Sequence, residues 1–179
     1  MSDDAKEKMK NRKTPIASFY ANLMAFDGYY EKKWFPYTMP ISDIYGLRAA
    51  FNLIAGDKTL YERHARIGSA TRAAVKEAGL KLHLQSGYSN TVTVFDIPEC
   101  TDAKSILDEM RTKYNIMLAG SFDELSGKVI RIGHMGENAR LEHMVPALEA
   151  LSATLTDLGV TLQGNLADLF LKHYREFQD

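Results

Sequence analysis

The sequence predicts an α+β fold in which a small, mostly antiparallel sheet is covered by helices on one face. Three observations lead there. From Leu60 to Ala78 the charges Glu62, Arg63, Arg66, Arg72, Lys76 and Glu77 alternate with Leu60, Ile67, Ala70, Ala74 and Ala78, the pattern of a long amphipathic helix. Short β-rich runs follow at Leu80 to Leu84, Thr91 to Ile97, Ile116 to Leu118 and Val129 to Ile132, separated by turn residues such as Ser86-Gly87 and Ser126-Gly127. Beyond Gly136 the leucine spacing returns to a helical period.

Ser2 offers a capping hydroxyl and Asp3 and Asp4 two carboxylates ahead of AKEKMKNRK, which favours a short helix aligned with its own dipole. That helix stops before Thr14-Pro15, because the residue preceding proline is pushed out of the α region. Phe19, Leu23 and Phe26 recur at near-helical spacing and predict a second short helix, broken by Asp27-Gly28. Residues 29–40, YYEKKWFPYTMP, hold five aromatics and two prolines with no regular period, an ordered irregular segment. After Pro40, Ser42 and Asp43 can cap a helix whose face is Ile44, Leu47, Phe51 and Ile54, ending at Gly56-Asp57. Gly79 is placed to close the long helix that follows.

Among the β runs, Thr101-Asp102 caps a helix with the stripe Ile106, Leu107, Met110 and Tyr114. Leu141, Met144, Val145, Leu148, Leu151, Leu155 and Leu158 trace a core-facing helix, with a kink expected at Pro146. Gly159 and Gly164 precede a last helix carrying Leu166, Leu169, Phe170, Tyr174 and Phe177. Residues 1–57 form a helical and irregular segment with no strand to pack against, and residues 58–179 form a C-terminal α+β domain.

A length of 179 residues suits one domain or a domain with a subdomain, and 45% hydrophobic with 25% charged residues sets aside disorder and low complexity. Lys+Arg 22 against Asp+Glu 23 leaves a net charge of −1, with no overall attraction to nucleic acid or to anionic membranes. The single cysteine, Cys100, can form no internal bridge and is consistent with a reducing, cytoplasmic location. No apolar run approaches the roughly 20 residues of a bilayer span, and the polar opening has no apolar core of a signal peptide.

His64, His83, His134, His143 and His173 are scattered, without an HExxH pair or cysteine partners, so they read as surface histidines and no metal site is expected. Cys100 reads as an inert thiol rather than a nucleophile. Ser89, Ser121 and Ser126 lack the GxSxG elbow, and the glycine-punctuated stretches match neither GxGxxG nor GxxxxGK[ST]. The basic cluster Lys6, Lys8, Lys10, Arg12 and Lys13 is interleaved with acids, as on a solvated helix face. The informative residue is Arg131, inside the run Val129-Ile130-Arg131-Ile132. Alternation puts it on the same face as Val129, so its guanidinium emerges from a sheet rather than a loop tip. A guanidinium mounted in this way can make two parallel hydrogen bonds to a carboxylate, though an arginine exposed at a sheet edge reads the same way.

LAGSFDELSGKVIRIGHMG, residues 118–136, resembles the corresponding segment of class V pyridoxal-phosphate aminotransferases of the alanine–glyoxylate and serine–pyruvate type. PYTMPISDIYGLRAAFNLI, residues 36–54, is similar to the family's PYTPP-type segment and the helix after it, and RKTPIASFY, residues 12–20, to the stretch shortly after the cofactor lysine. The resemblance covers nearly the whole chain and implies the C-terminal part of such an enzyme. Its fold would be the small C-terminal domain preceded by helices of the large domain. It implies that Arg131 binds the substrate α-carboxylate and that Thr38 reaches the cofactor phosphate of the neighbouring subunit. Where some members place a phosphate-contacting tyrosine three residues before that threonine, this chain has Phe35, which has no hydroxyl to donate.

The family's cofactor lysine and doubly wound domain lie upstream of this region. The resemblance therefore implies that pyridoxal phosphate belongs to the complete enzyme, with none bound and no activity in this chain alone, and it places no catalytic residue here. The implied partners are small amino acids of the alanine or serine class, 2-oxo acids such as glyoxylate or pyruvate, and either a second copy or a large domain that covers the apolar faces of residues 16–55. The alternative is a non-catalytic module that binds a small carboxylate or dimerises.

Overall fold

The computed structural model describes residues 1–177 in two compact units, Met1–Gly56 and a second beginning at Asp57. In the first, α1 (Asp3–Lys10) is capped by Ser2, whose hydroxyl accepts from the Ala5 amide, with Asp3 and Asp4 in the first turn and Lys8 and Lys10 in the last. Lys6 and Lys10 reach Asp27 at 2.7 and 3.5 Å, and this ties α1 to a short 3-10 turn, Leu23–Phe26. The second helix expected from Phe19 to Phe26 is reduced to that turn. Asn22 caps the turn through the Met24 amide, and Ser18 draws the Ala21 amide to its hydroxyl, so side chains take backbone donors that a helix would need.

Aromatic rings fill the unit. Phe26 meets Tyr29, Phe35 and Tyr37 edge-on at centroid distances of 6.1, 5.5 and 5.5 Å, and the Tyr37 hydroxyl donates to the Phe19 carbonyl. Phe35 is thus a packing residue. After Pro40 comes α2 (Ile41–Gly56), whose first intrahelical bond runs from the Ile44 amide to the Pro40 carbonyl. Ser42 and Asp43 consequently lie inside the first turn instead of capping it. No residue of α2 is buried, and Leu47, Phe51 and Leu53 are 71%, 65% and 75% exposed.

The second unit is organised around α3 (Leu60–Glu77), β1 (Val92–Asp96), α4 (Ala103–Tyr114), β2 (Val129–Gly133), α5 (Leu141–Asp157) and α6 (Leu166–Glu176). Ala70 and Ala74 on α3, Ala78 at its C-cap and Phe170 on α6 belong to one buried cluster, and α3 packs against α6. Glu77 holds the same pair together by accepting from Lys172 at 2.7 Å and His173 at 2.6 Å. The helix ends as expected: Gly79 adopts φ +87°, a left-handed conformation that a Cβ disfavours, and the Leu80 amide turns back to the Val75 carbonyl. Asp102 caps α4 by accepting from the Ser105 amide, and α5 runs through Pro146.

β1 and β2 are antiparallel, with Phe95 opposite Ile130, Val94 opposite Arg131 and Thr93 opposite Ile132. Phe95, Ile130 and Ile132 enter the core, which places Val94 and Arg131 on the other face. The runs at 80–84 and 116–118 do not become strands; only single bridges form, Leu82 to Phe95 and Ala119 to Arg131. The first residue of each run is already committed to the preceding helix, although Lys81 and His83 still exchange bonds with Asp96 and Val94. The Leu80 amide closes α3 on Val75, and the Ile116 amide closes α4 on Met110, so neither is free for a ladder.

His134 departs from the surface reading, being fully buried. Its Nδ1 lies 3.1 Å from the Asn90 carbonyl and its Nε2 2.9 Å from the Thr93 hydroxyl, so a neutral ring donates to the first and accepts from the second. The α3 backbone approaches this ring at Gly68, where a Cβ would come within 3.2 Å of His134 Cε1 and 3.3 Å of Asn90 Cα.

Burial holds the His134 pKa at about 4 against an ordinary 6.5. Below pH 6.5 the unfolded chain binds a proton there that the fold refuses, so its full contribution is present above 6.5 and is lost as pH falls toward 4. Chemical denaturation followed between pH 6.5 and about 4.5 should show a loss of about 2 kcal/mol, a slope that His134→Gln should flatten. Phe170→Ala, which leaves a cavity at a fully buried core position, should cost about 3–5 kcal/mol in the same measurement.

Candidate functional site

Arg131 sits in the middle of β2, on the face turned away from the core, and is held at two levels. Its backbone amide donates to the Ala119 carbonyl at 2.7 Å, while the Ala119 amide returns a bond to the Arg131 carbonyl at 3.3 Å. Its side chain donates from Nε to the Gly120 carbonyl at 2.6 Å. Successive carbonyls of the preceding segment therefore fix first the strand and then the guanidinium. Phe122 stands beside it, with the ring centroid 5.7 Å from Cζ. The turn back into β2 uses Gly127 at φ +71°, and the Lys128 amide closes it on the Leu125 carbonyl.

Among the described residues, the two terminal nitrogens of Arg131 have no protein hydrogen-bond partner. The residue is half-buried and borders a cavity of about 610 Å³ also lined by Ala119, Gly133, Met135, Glu142 and His143. A guanidinium tied at Nε and free at its outer edge presents two parallel N–H groups, the geometry that matches a carboxylate. With no acid paired to it, those donors are available to an anionic ligand. A guanidinium offers donors and no acceptor, so it can bind and orient an anion but cannot take up a proton as a base.

Thr38 lies in the first unit, exposed, with no hydrogen-bond partner among the described residues. It lines an opening of about 510 Å³ with Phe19, Tyr20, Pro36 and Tyr37. An unengaged hydroxyl there suits one oxygen of a phosphate group. Thr38 and Arg131 belong to separate units and each is placed by its own surroundings.

The other candidates carry less chemistry. Cys100 is exposed, with its sulfur 3.9 Å from the Gly159 carbonyl. His64 and His134 bind backbone groups, and His83 and His173 bind Asp96 and Glu77. No group of three His, Cys, Asp or Glu side chains among the described residues is placed to hold a metal ion. Sequence reasoning missed Gly120 and Phe122, because neither a carbonyl's direction nor a ring's stacking partner is written in residue spacing.

No protein-family model matches the chain. It is 36% identical over 165 residues to a serine–glyoxylate aminotransferase of Methylorubrum extorquens, covering 87% of this chain and 40% of that protein. Two crystal structures, both 30% identical in sequence, superpose closely. Pyridoxamine–pyruvate aminotransferase of Mesorhizobium loti matches with a TM-score of 0.84 over 98% of this chain and 46% of its own. Ureidoglycine–glyoxylate aminotransferase of Bacillus subtilis matches with a TM-score of 0.86 over 96% and 46%. The chain spans less than half the length of the curated relatives it matches. The mixed α+β architecture with its small antiparallel sheet is that of the pyridoxal-phosphate aminotransferase fold.

If Arg131 serves a ligand rather than the fold, Arg131→Met should change the unfolding free energy by no more than about 1.5 kcal/mol, the value of one partly exposed hydrogen bond. Ile132→Ala, one residue along the same strand but in the core, should cost about 2–5 kcal/mol. Parallel urea titrations of the two variants separate the roles.

Proposed function

We propose, from the premise that this chain belongs to the class V aminotransferases and corresponds to their C-terminal part, that it supplies the carboxylate clamp of an enzyme moving an amino group between a small amino acid and a 2-oxo acid. The amino acid is of the alanine or serine class and the oxo acid resembles glyoxylate or pyruvate. The observation that carries the reading is the Arg131 guanidinium, anchored at Nε by the Gly120 carbonyl and free at both terminal nitrogens.

Pyridoxal phosphate, when bound, supplies the electron sink that makes the amino acid's Cα–H bond breakable. What this chain's residues do is positional. Arg131 receives the substrate carboxylate through two parallel hydrogen bonds and fixes the direction of the Cα–H bond, and alignment of this kind can lower a barrier by several kcal/mol. Because amino donor and oxo acceptor both carry the carboxylate, one clamp serves both halves of the reaction. The Thr38 hydroxyl donates to the cofactor phosphate, across the subunit boundary by family resemblance. The hydroxyl that some relatives add three residues earlier has no equivalent at Phe35, whose ring is committed to the aromatic cluster.

The lysine that anchors the cofactor belongs to the remaining part of such an enzyme, so the 179-residue chain is inactive and binds no cofactor alone. The exposed apolar residues of α2 support association with that part or with a second copy. No helix among the described residues is long and apolar enough to cross a membrane, and the single cysteine favours a reducing, cytoplasmic location. A non-catalytic carboxylate-binding or dimerisation module is the second reading, since the free guanidinium and the bare α2 would serve it equally. Tight amino-acid binding by the chain without any response to pyridoxal phosphate would favour it.

In the complete enzyme, Arg131→Lys should raise KM for the amino donor and the oxo acid at least tenfold, because a lone ammonium cannot reproduce the planar fork. Steady-state kinetics with alanine or serine and glyoxylate decide this. An unchanged KM for both substrates removes Arg131 from the site.

A further inference from the structure

The geometry points to Phe122 as a positioning residue, holding the Arg131 guanidinium in its carboxylate-binding orientation without using any of its donors. This inference rests on the reading of Arg131 as the carboxylate binder.

Three observations converge. The Phe122 ring centroid lies 5.7 Å from Arg131 Cζ, within the range at which an aromatic face attracts a guanidinium. Phe122 is 68% exposed and takes no part in the hydrophobic core, so packing does not account for its place. Its backbone is extended, and the next residue, Asp123, adopts φ +50°, a left-handed conformation uncommon outside glycine. The chain thus accepts an unfavourable backbone angle directly after the ring.

The chemistry explains why a ring suits this position. The bond from Nε to Gly120 pins one edge of the guanidinium but leaves the outer end free to tilt. A neighbouring carboxylate would restrain it only by occupying the N–H groups the substrate needs. Asp123 and Glu124 are adjacent in sequence, yet neither pairs with Arg131 among the described residues. The face of Phe122 attracts the cation through its quadrupole and contributes no acceptor oxygen, so both terminal nitrogens stay open.

The test compares Phe122→Ala, Phe122→Leu and Phe122→Tyr in the complete enzyme. KM and kcat are measured for the amino donor, and the dissociation constant of acetate, an unreactive carboxylate, is obtained by competition. Loss of the aromatic face in the Ala and Leu variants should raise KM and the acetate constant about three- to fivefold, with kcat within about twofold. Phe122→Tyr, which keeps the face, should restore wild-type values. Should Phe122→Leu match the wild type, or should kcat fall with KM unchanged, the inference is overturned. A KM that rises in Arg131→Lys but not in the Phe122 variants defeats the role of Phe122 alone, whereas a KM indifferent to both positions defeats the carboxylate clamp itself.

Discussion

Two hydrogen bonds from one residue organise the second unit's candidate binding face: the Arg131 amide to the Ala119 carbonyl and the Arg131 Nε to the Gly120 carbonyl. The first gives β2 its outer neighbour, the second restricts the rotation of the side chain. A guanidinium on a long flexible stem loses considerable rotamer entropy when it binds a ligand. Here part of that loss has already occurred in the folded protein, at a single partly buried bond, so an anionic ligand on the free edge would have less left to order. The loop from 119 to 122 is therefore part of the candidate site, where the 119 and 120 carbonyls hold Arg131 in place.

The strand can support this arrangement because its two faces do different work. Ile130 and Ile132 pair across to Phe95 and Thr93 on the buried side, which locks the register, since a slip of one residue would drive Arg131 into the core. His134 then closes the strand's end by satisfying Asn90 and Thr93 from a fully buried ring. The first unit presents the opposite situation. Its aromatic rings touch one another but none is buried, and α2 displays a run of apolar side chains to water, a surface that folded proteins ordinarily cover.

The helices were readable in advance because their signals are local. Ser2, Asp102 and Gly79 act where their chemistry predicts, each on a backbone group within a few residues. The outer strands were not readable. Whether Leu80 or Ile116 pairs in a sheet depends on whether its amide has already been claimed by the preceding helix, and the β-rich composition of those runs says nothing of that. Ser42 and Asp43 illustrate the same limit from the other side, being suitable caps left inside a helix that began at Pro40.

Arg131 is legible in the sequence as a strand residue between two glycine turns, and the resemblance of its flanking residues to an aminotransferase segment implies a carboxylate partner for it. Period-two alternation suffices to say which face such a residue occupies, because adjacent side chains on a strand must point in opposite directions. Packing alone decided that His134 is buried and neutral, that Gly120 anchors the guanidinium and that Phe122 flanks it. Each of these depends on where a carbonyl or a ring lies after distant segments have docked. Pattern along the chain encodes direction and period, whereas the meeting of residues 9, 11 or 41 positions apart, as at Phe122, Gly120 and Thr93, is set by the whole fold's minimisation of unpaired polar groups and empty space.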